Sequence, residues 1–355
     1  MKKHYLLFAS HDYAYHILRP LQDEIRRQGH EACWYLEDTC PNRLEEGEKR
    51  LTTFRQVKEF NPVAVFAAGN IVYDFFPGVK VNLLHGYNIP KRMNKPDNHY
   101  KIRGWFDIYC SQGPRNTPGF VEREKQYGFF KTYETGWCRA DEFFRQGAVT
   151  DLPRDRKCIY YATTFTRGVS SVEQMLSVID SLASEKNWDW IISFHPLLRD
   201  PVIIQAYKDM ASRHSNVRFL DGYKGLPTLA QADVMVCDNS SIILEMMLTG
   251  KPVVTYYNNL PGPYLIDCTS PDQVGDAIEK ALTRPPELMQ AMADYVASFE
   301  AHRDGHNSER VLAAVDDFIA NHKAHMKIKP ANLFRKFKLR WRLRKKYLPF
   351  IFGFK

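Results

Sequence analysis

Short apolar runs separated by stretches of helical spacing fill the first half of the chain. Tyr5–Ser10, Glu31–Leu36, Pro62–Ala68, Val79–Leu84, Phe106–Cys110 and Thr132–Gly136 predict strands. Leu18–Arg27, ending near Gly29, then Leu51–Phe60 and Gly119–Tyr127, carry the helical period between them. Around Arg145–Arg156 the pattern lapses into a polar segment with Gly147 and Pro153, which reads as a linker. The series restarts with Cys158–Thr163, Trp190–Phe194, Val217–Leu220, Val234–Cys237 and Pro252–Tyr256. Helices Pro271–Leu282, Pro286–Phe299 and Ser308–His322 follow. Strands alternating with helices imply parallel sheets covered on both faces. The expected architecture is therefore α/β: two Rossmann-like domains, residues 1–150 and 151–326, with a cleft between them and a tail over 327–355. Ligands in such sheets bind beyond the carboxyl ends of the strands.

Charge changes this picture only at the end of the chain. The formal net charge is +8, yet Lys327 to Lys355 holds eleven Lys and Arg and no acid. Removing these eleven from the 49 basic residues leaves 38 against 41 acidic ones, a net of −3. Nucleic-acid binding would spread the excess over a folded face; here it is confined to a tail, and no nucleic-acid partner is expected. In LFRKFKLRWRLRKKYLPF, helical projection gathers Leu333, Phe334, Phe337, Trp341 and Leu348 into one stripe, with only Arg344 intruding. Basic residues fill most of the remainder, which fits a helix lying on an anionic membrane. Leu339, Trp341 and Leu343 alternate with arginines, so a strand stays open, as does a partner-protein contact. No segment has the length of a membrane span, and the apolar run in MKKHYLLFASHDYAYH is too short for a signal peptide. Seven scattered cysteines without a CxxC pair argue against zinc and against a disulfide framework. The expected location is cytoplasmic, peripheral on the inner face of the plasma membrane.

Candidate chemistry collects where strands end. Val234–Cys237 stops at Asp238, and Ser240 and Ser241 open the next helix. Such residues either cap the helix or help bind an anion there. His85-Gly86, His195-Pro196 and the group Thr163, Thr164 and Arg167 end three other strands. A single histidine is most often structural, but two at strand ends, one per domain, point to a reaction site. The chain has no GxGxxG after its first strand, no GxxxxGK[ST] and no GxSxG. His11, Asp12 and His16 invite a metal, but no further ligand is evident and no DxD-like element demands one, so neither metal nor cofactor is expected.

The segments HG at 85–86, YYATTFTR at 160–167, FHP at 194–196, CDNSSIILE at 237–245 and DGHNSER at 304–310 together resemble the CDP-glycerol glycerophosphotransferases. ETGWCRAD at 134–141 resembles that family's Gly-x-Pro-Arg-x-Asp turn, with Cys138 in place of proline. The order and spacing match over roughly residues 80–312. The chain departs from the family at HGYNIPKR, where HGTPLK is usual and Tyr87 replaces threonine, and at YATTFTR, which lacks the proline of YAPT[WF]R. The resemblance implies a GT-B fold with an acceptor-side first domain and a nucleotide-side second one. It also implies transfer of a polyol phosphate from a CDP-activated donor to a glycan or lipid-linked hydroxyl, with release of CMP. On that reading Ser240 and Ser241 hold the diphosphate, and Asp238 caps the helix and orients them. Thr164 joins this donor site, Glu245 meets ribose hydroxyls or is a solvated helix-face residue, and Ser308 with Arg310 adds a second clamp, unless Arg310 forms a surface ion pair. His85 is the general base, and His195 in protonated form stabilises the phosphates or departing CMP. Arg167 and Lys91 neutralise charge, with Gly86 and Lys91 on the acceptor side. Two other readings stand beside it: a GT-B glycosyltransferase using a nucleotide sugar, and a non-catalytic, membrane-tethered nucleotide-binding protein.

Overall fold

The computed structural model describes residues 2–87, 99–145, 155–195, 197–222 and 225–352. Two sheets of six strands, all parallel, form its framework. The first contains β1 (His4–Ala9), β2 (Glu31–Leu36), β3 (Ala64–Ala67), β4 (Val79–Asn82), β5 (Ile108–Ser111) and β6 (Lys131–Glu134), in the order β2-β1-β3-β4-β5-β6. The second contains β7 (Lys157–Thr163), β8 (Trp188–Phe194), β9 (Val217–Leu220), β10 (Val234–Cys237), β11 (Val253–Tyr256) and β12 (Ile266–Cys268), in the order β12-β11-β10-β7-β8-β9. Both sheets are doubly wound. The order reverses between β1 and β3 in the first and between β7 and β10 in the second, and such reversals leave a crevice at the carboxyl edge. The apolar runs expected from the sequence are all strands. The exception to the pattern is β12, whose Asp267 breaks its apolar character; that carboxylate accepts Thr255 Oγ1–H at 2.6 Å and Asn258 N–H at 3.0 Å.

The division of the chain differs from the expected one. Met1–Asn88, Lys95–Asp141 and Phe299–Lys355 make the first compact unit, and Glu142–Ser298 most of the second. Residues 299–326 thus belong with the first sheet, because polar groups far apart in sequence bind them there. The buried Asp141 carboxylate accepts the N–H groups of Asn307 (2.7 Å) and Ser308 (2.8 Å). Ala301 N–H donates to Gln112 O at 2.9 Å, and Tyr133 O–H to Asp317 at 2.5 Å. The linker expected over Arg145–Arg156 lies largely outside the described residues.

The tail also corrects its expectation. It forms two helices, Leu333–Arg342 and Arg344–Phe352, rather than one or a strand. Both pack on the first unit. Leu339 (3% exposed) and Leu343 (8%) enter its core, and Tyr347 and Phe350 stack near Phe75 and Phe54. Arg340 grips Asp74 with two nitrogens (3.2 and 2.9 Å), Arg342 pairs with Glu37 (2.8 Å) and Lys329 with Asp107 (2.7 Å). The projected stripe points outward: Phe334 is 79% and Trp341 61% exposed, with Leu333, Phe337 and Leu348 exposed beside them. Among the described residues, no helix is long and apolar enough to cross a membrane.

This arrangement separates two kinds of tail residue. Leu339→Ala is expected to cost about 2–5 kcal/mol, as for buried leucines generally. Trp341→Ala is expected to change stability by about 0.5 kcal/mol or less. Denaturant unfolding followed by circular dichroism distinguishes them.

Candidate active site

At the carboxyl edge of the first sheet, the ends of β1, β3 and β4 bring Ser10, His11, Tyr13, Gly69 and His85 together. Asn82, a buried polar residue closing β4, sets the geometry. Its Nδ2 donates to Gly69 O at 2.9 Å and its Oδ1 accepts Leu84 N–H at 2.9 Å. This holds Leu84 at φ +57°, a left-handed conformation that branched residues rarely adopt and that costs on the order of 1–3 kcal/mol. The turn keeps the Leu84 side chain buried while His85 emerges at the surface. Gly69 is required beside it, since an added Cβ would sit 2.9 Å from Ser10 Oγ. Ser10 Oγ is 3.0 Å from His11 Nδ1, His11 stacks on Tyr13 at 5.3 Å, and Tyr13 lies 5.9 Å from the His85 ring. Partial desolvation, and secondarily the neighbouring His11, pull the His85 pKa below its ordinary value. Both effects favour the neutral imidazole.

Tyr87 anchors the loop beyond His85. Its hydroxyl donates to Glu300 at 2.5 Å, and its ring packs edge-on against Trp137 and Phe299. Glu300 is fully buried, and desolvation pushes its pKa up to about 8. Trp137 N–H and Asn307 Nδ2–H also reach this carboxyl group. The tyrosine that departs from the family pattern thus has a specific partner here. An added Cβ at Gly86 would meet nothing within 4 Å, so packing does not require a glycine there. Lys91 lies outside the described residues.

In the second unit, the carboxyl edge is organised by Asp238 at the switch between β7 and β10. Its fully buried carboxylate accepts Thr164 N–H (2.9 Å), Ser171 N–H (3.0 Å), Ser171 Oγ–H (3.2 Å), Asn239 N–H (2.6 Å) and the Thr163 hydroxyl. It therefore braces the loop after β7 instead of capping the helix Ile242–Leu248 or orienting the serines. Ser241, at that helix's N-cap, makes no side-chain cap hydrogen bond and is exposed, while Ser240 is largely buried. Asn258 Nδ2 donates to Asp238 O at 2.7 Å, and Asn239 Nδ2 to Tyr257 O at 3.0 Å, tying in the end of β11. A cavity of about 30 Å³ lined by Ser240, Asn239, Asn258, Tyr264 and Tyr295 adjoins them. Glu245 lies one turn into the helix, half-exposed.

His195 ends β8. Its Nδ1 accepts Leu197 N–H at 3.1 Å, so the neutral ring carries its proton on Nε2, and the ring packs on Phe165 at 4.6 Å. Thr164 is buried beside Asp238, whereas Arg167 is exposed with no acidic partner among the described residues.

The second clamp is not found. Ser308 is buried in the first unit, away from solvent, with its N–H on Asp141. Arg310 is bound bidentately by Asp304 at 2.8 and 2.5 Å, which is the ion-pair alternative. The segments 134–141 and 304–310 instead lock to each other: an added Cβ at Gly136 would lie 2.2 Å from Asn307 Oδ1. Asp12 pairs with Arg43 at 2.5 Å, and no group of three or more metal-ligating residues exists among the described residues. Asn82, Ser171, Asn258 and Glu300 were not expected. Asn82, which with Lys80 interrupts the run Val79–Leu84 just before His85, carried a usable signal; Glu300 carried none.

Two doubly wound sheets with polar groups gathered at their carboxyl edges define a GT-B-like α/β protein. Solved structures share this fold. A wall teichoic acid polymerase TagF matches with TM-score 0.60 and 14% identity, over 89% of each chain. A putative UDP-N-acetylglucosamine 2-epimerase from Listeria monocytogenes matches with TM-score 0.61 and 13% identity, over 92% of this chain and all of that one. A glycosyltransferase from Rickettsia africae matches with TM-score 0.55 and 10% identity, over 90% of this chain and all of that one. No curated protein sequence matches significantly. The profile of the CDP-glycerol:poly(glycerophosphate) glycerophosphotransferases matches residues 86–317, and the chain belongs to that family. It is a glycerophosphotransferase-type enzyme.

The Asp238 network makes a direct prediction. Asp238→Ala orphans the buried N–H groups of Thr164 and Ser171, at about 1–3 kcal/mol each, and should destabilise the second unit. Asp238→Asn keeps one acceptor and should cost less. Thermal unfolding of the two variants tests this order.

Proposed function

We propose that the protein transfers a polyol phosphate, glycerol phosphate in the first instance, from a CDP-activated donor to a hydroxyl of a cell-surface glycan or lipid-linked acceptor, as in teichoic acid synthesis. The acceptor oxygen attacks the donor β-phosphorus. The bond from that phosphorus to the oxygen shared with the α-phosphate breaks, and CMP leaves with the electron pair. The acceptor proton passes to neutral His85. The observation that carries the reading is the pair of histidines at strand ends of two doubly wound sheets in a chain of this family. A depressed pKa suits His85 to act as base. His195, with its proton on Nε2, donates to phosphate oxygens or the departing CMP, and Ser240 and Ser241 bind the diphosphate. Thr164 shapes the loop carrying Arg167, which neutralises charge, as does Lys91; Glu245 is assigned to ribose hydroxyls. The outward aromatic and basic face of the tail supports peripheral attachment to the cytoplasmic face of an anionic membrane.

A donor screen with CDP-glycerol, CDP-ribitol and nucleotide sugars, reading CMP against UDP or GDP, tests the reaction. CMP release with glycerol phosphate transfer is expected; turnover of a nucleotide sugar alone overturns the reading. Replacing Ser240 and Ser241 with alanine should weaken CDP binding in calorimetry by roughly 1.5–3 kcal/mol per lost charged hydrogen bond.

His85→Ala should lower turnover about 10²–10⁴-fold with donor affinity nearly unchanged. Protonating His85 removes the base, so activity is lost as pH falls through its pKa. That pKa is depressed, so the acid limb of kcat/KM should lie below about 6.5. His11→Gln removes the neighbour whose electrostatic interaction lowers this pKa, and should move the limb to higher pH.

A further inference from the structure

The cations of the tail fall into two sets. Lys336 and Arg340 face Asp74, Arg342 faces Glu37, Lys346 faces Asp38 and Lys329 faces Asp107, so the body of the first unit neutralises them. Arg335 and Lys338, like Lys327, Arg344 and Lys345, have no acidic partner among the described residues; what sets Arg335 and Lys338 apart is Arg103 opposite them, which has none either. Among the described residues, Arg103 Nη1 bonds Asn70 Oδ1 (3.2 Å) and Lys101 O (3.3 Å), and Arg335 Nη1 bonds Arg103 O (3.0 Å) and Asn332 Oδ1 (3.3 Å). Lys338 is exposed and makes no hydrogen bond among the described residues.

These three charges, with Arg342 that Glu37 neutralises, line one groove of about 520 Å³, walled by Trp105 and Trp341 and edged by Asn70, with no carboxylate in its lining. That volume suits a small-molecule headgroup. The wall is built, not incidental. Asn332 Nδ2 donates to Arg103 O at 3.0 Å, Lys329 Nζ donates to Trp105 O at 3.0 Å, and an added Cβ at Gly104 would meet Asn332 at 2.5 Å. Guanidinium groups converging without a counter-ion are suited to phosphate oxygens, which they bind in pairs. Beyond the groove the same helix presents Phe337 and Trp341, stacked at 6.1 Å, with Phe334 and Leu333 exposed next to them. Phosphate-seeking charge beside an exposed aromatic stripe matches a phosphate carried at the end of an acyl or prenyl chain. Asn70 also follows Gly69, whose carbonyl holds Asn82 and thereby the His85 turn. One edge of the groove, Asn70, is thus next in the chain to the residue that fixes the proposed base.

We propose that this groove binds the diphosphate headgroup of a lipid-linked acceptor, with Arg103, Arg335 and Lys338 on the phosphates and Trp341, Phe337 and Phe334 in the membrane interface. It rests on the reading that the acceptor is lipid-linked, and it adds where that lipid is held.

The test uses the full chain, without nucleotide, so its outcome is independent of the donor screen. Sedimentation compares phosphatidylcholine vesicles doped with a polyprenyl diphosphate with vesicles matched in charge by phosphatidylglycerol. The expected result is about tenfold tighter binding to the diphosphate lipid, the gain from one or two charge-assisted hydrogen bonds. A variant with Arg103→Gln, Arg335→Gln and Lys338→Gln should lose that preference, while Arg55→Gln, Lys58→Gln and Lys345→Gln, equal in charge, should keep it. On a lipid-linked acceptor the first variant should raise KM with kcat and CDP affinity unchanged. Equal binding to the two anionic vesicles, or a preference surviving in the first variant, overturns the proposal. Calorimetric binding of inorganic pyrophosphate without any preference for the diphosphate lipid overturns it too, by making a free anion the ligand.

Discussion

Every strand in both sheets runs parallel to its neighbours, and this one constraint organises the molecule. A parallel strand cannot return through a tight turn, so each connection leaves from the carboxyl edge and crosses a face of the sheet. Polar side chains that would be costly among Val, Ile and Phe collect where the connections depart. Where strand order reverses, neighbouring connections diverge to opposite faces and leave room between them. Ser10 and Gly69 flank that reversal in the first sheet, and Thr163 and Asp238 flank it in the second. His85 and His195 each stand one strand further along.

Buried carboxylates then fix what the sheets leave loose. Asp238 gathers N–H groups from residues 164, 171 and 239, and Asp141 those of residues 307 and 308. Backbone amides satisfy such a charge without mobile side chains, and a buried acceptor with several fixed donors is costly to open. The two aspartates do comparable work, bracing a site loop in one unit and retaining the returning chain in the other. Glu300 is a third variation. Its pKa near 8 reflects burial, and its Tyr87 contact extends the brace toward His85.

Local pattern made most of this legible. Apolar runs of four to seven residues located every strand except β12, and strand ends located both histidines and the two serines. What depended on long-range bonds was not legible. Asp238 next to a helix start reads as a cap, because its partners at 163–171 are close only after β7 pairs with β10. Asp304, six residues before Arg310, claims that guanidinium through a turn that periodicity does not register. The outward stripe of the tail followed from the helical period. The opposite face, with Leu339 and Leu343, is narrow and flanked by arginines, so its burial was hidden by charge; only Asp74 and Glu37, hundreds of residues away, reveal that those arginines are neutralised.

The return of residues 299–352 to the first sheet also sets an order of assembly during synthesis. The second unit ends at Ser298, so it emerges from the ribosome whole. The first sheet is complete at Glu134, yet Leu339, Leu343 and Phe350, which pack against its cluster around Phe54, Tyr73 and Phe76, follow some two hundred residues later. At translation rates of about 5–20 residues per second, that interval is on the order of ten seconds or more. Through it the nascent first unit carries an uncovered aromatic face. The later-encoded unit is therefore able to finish folding first, and the N-terminal half of the chain waits for its last helices.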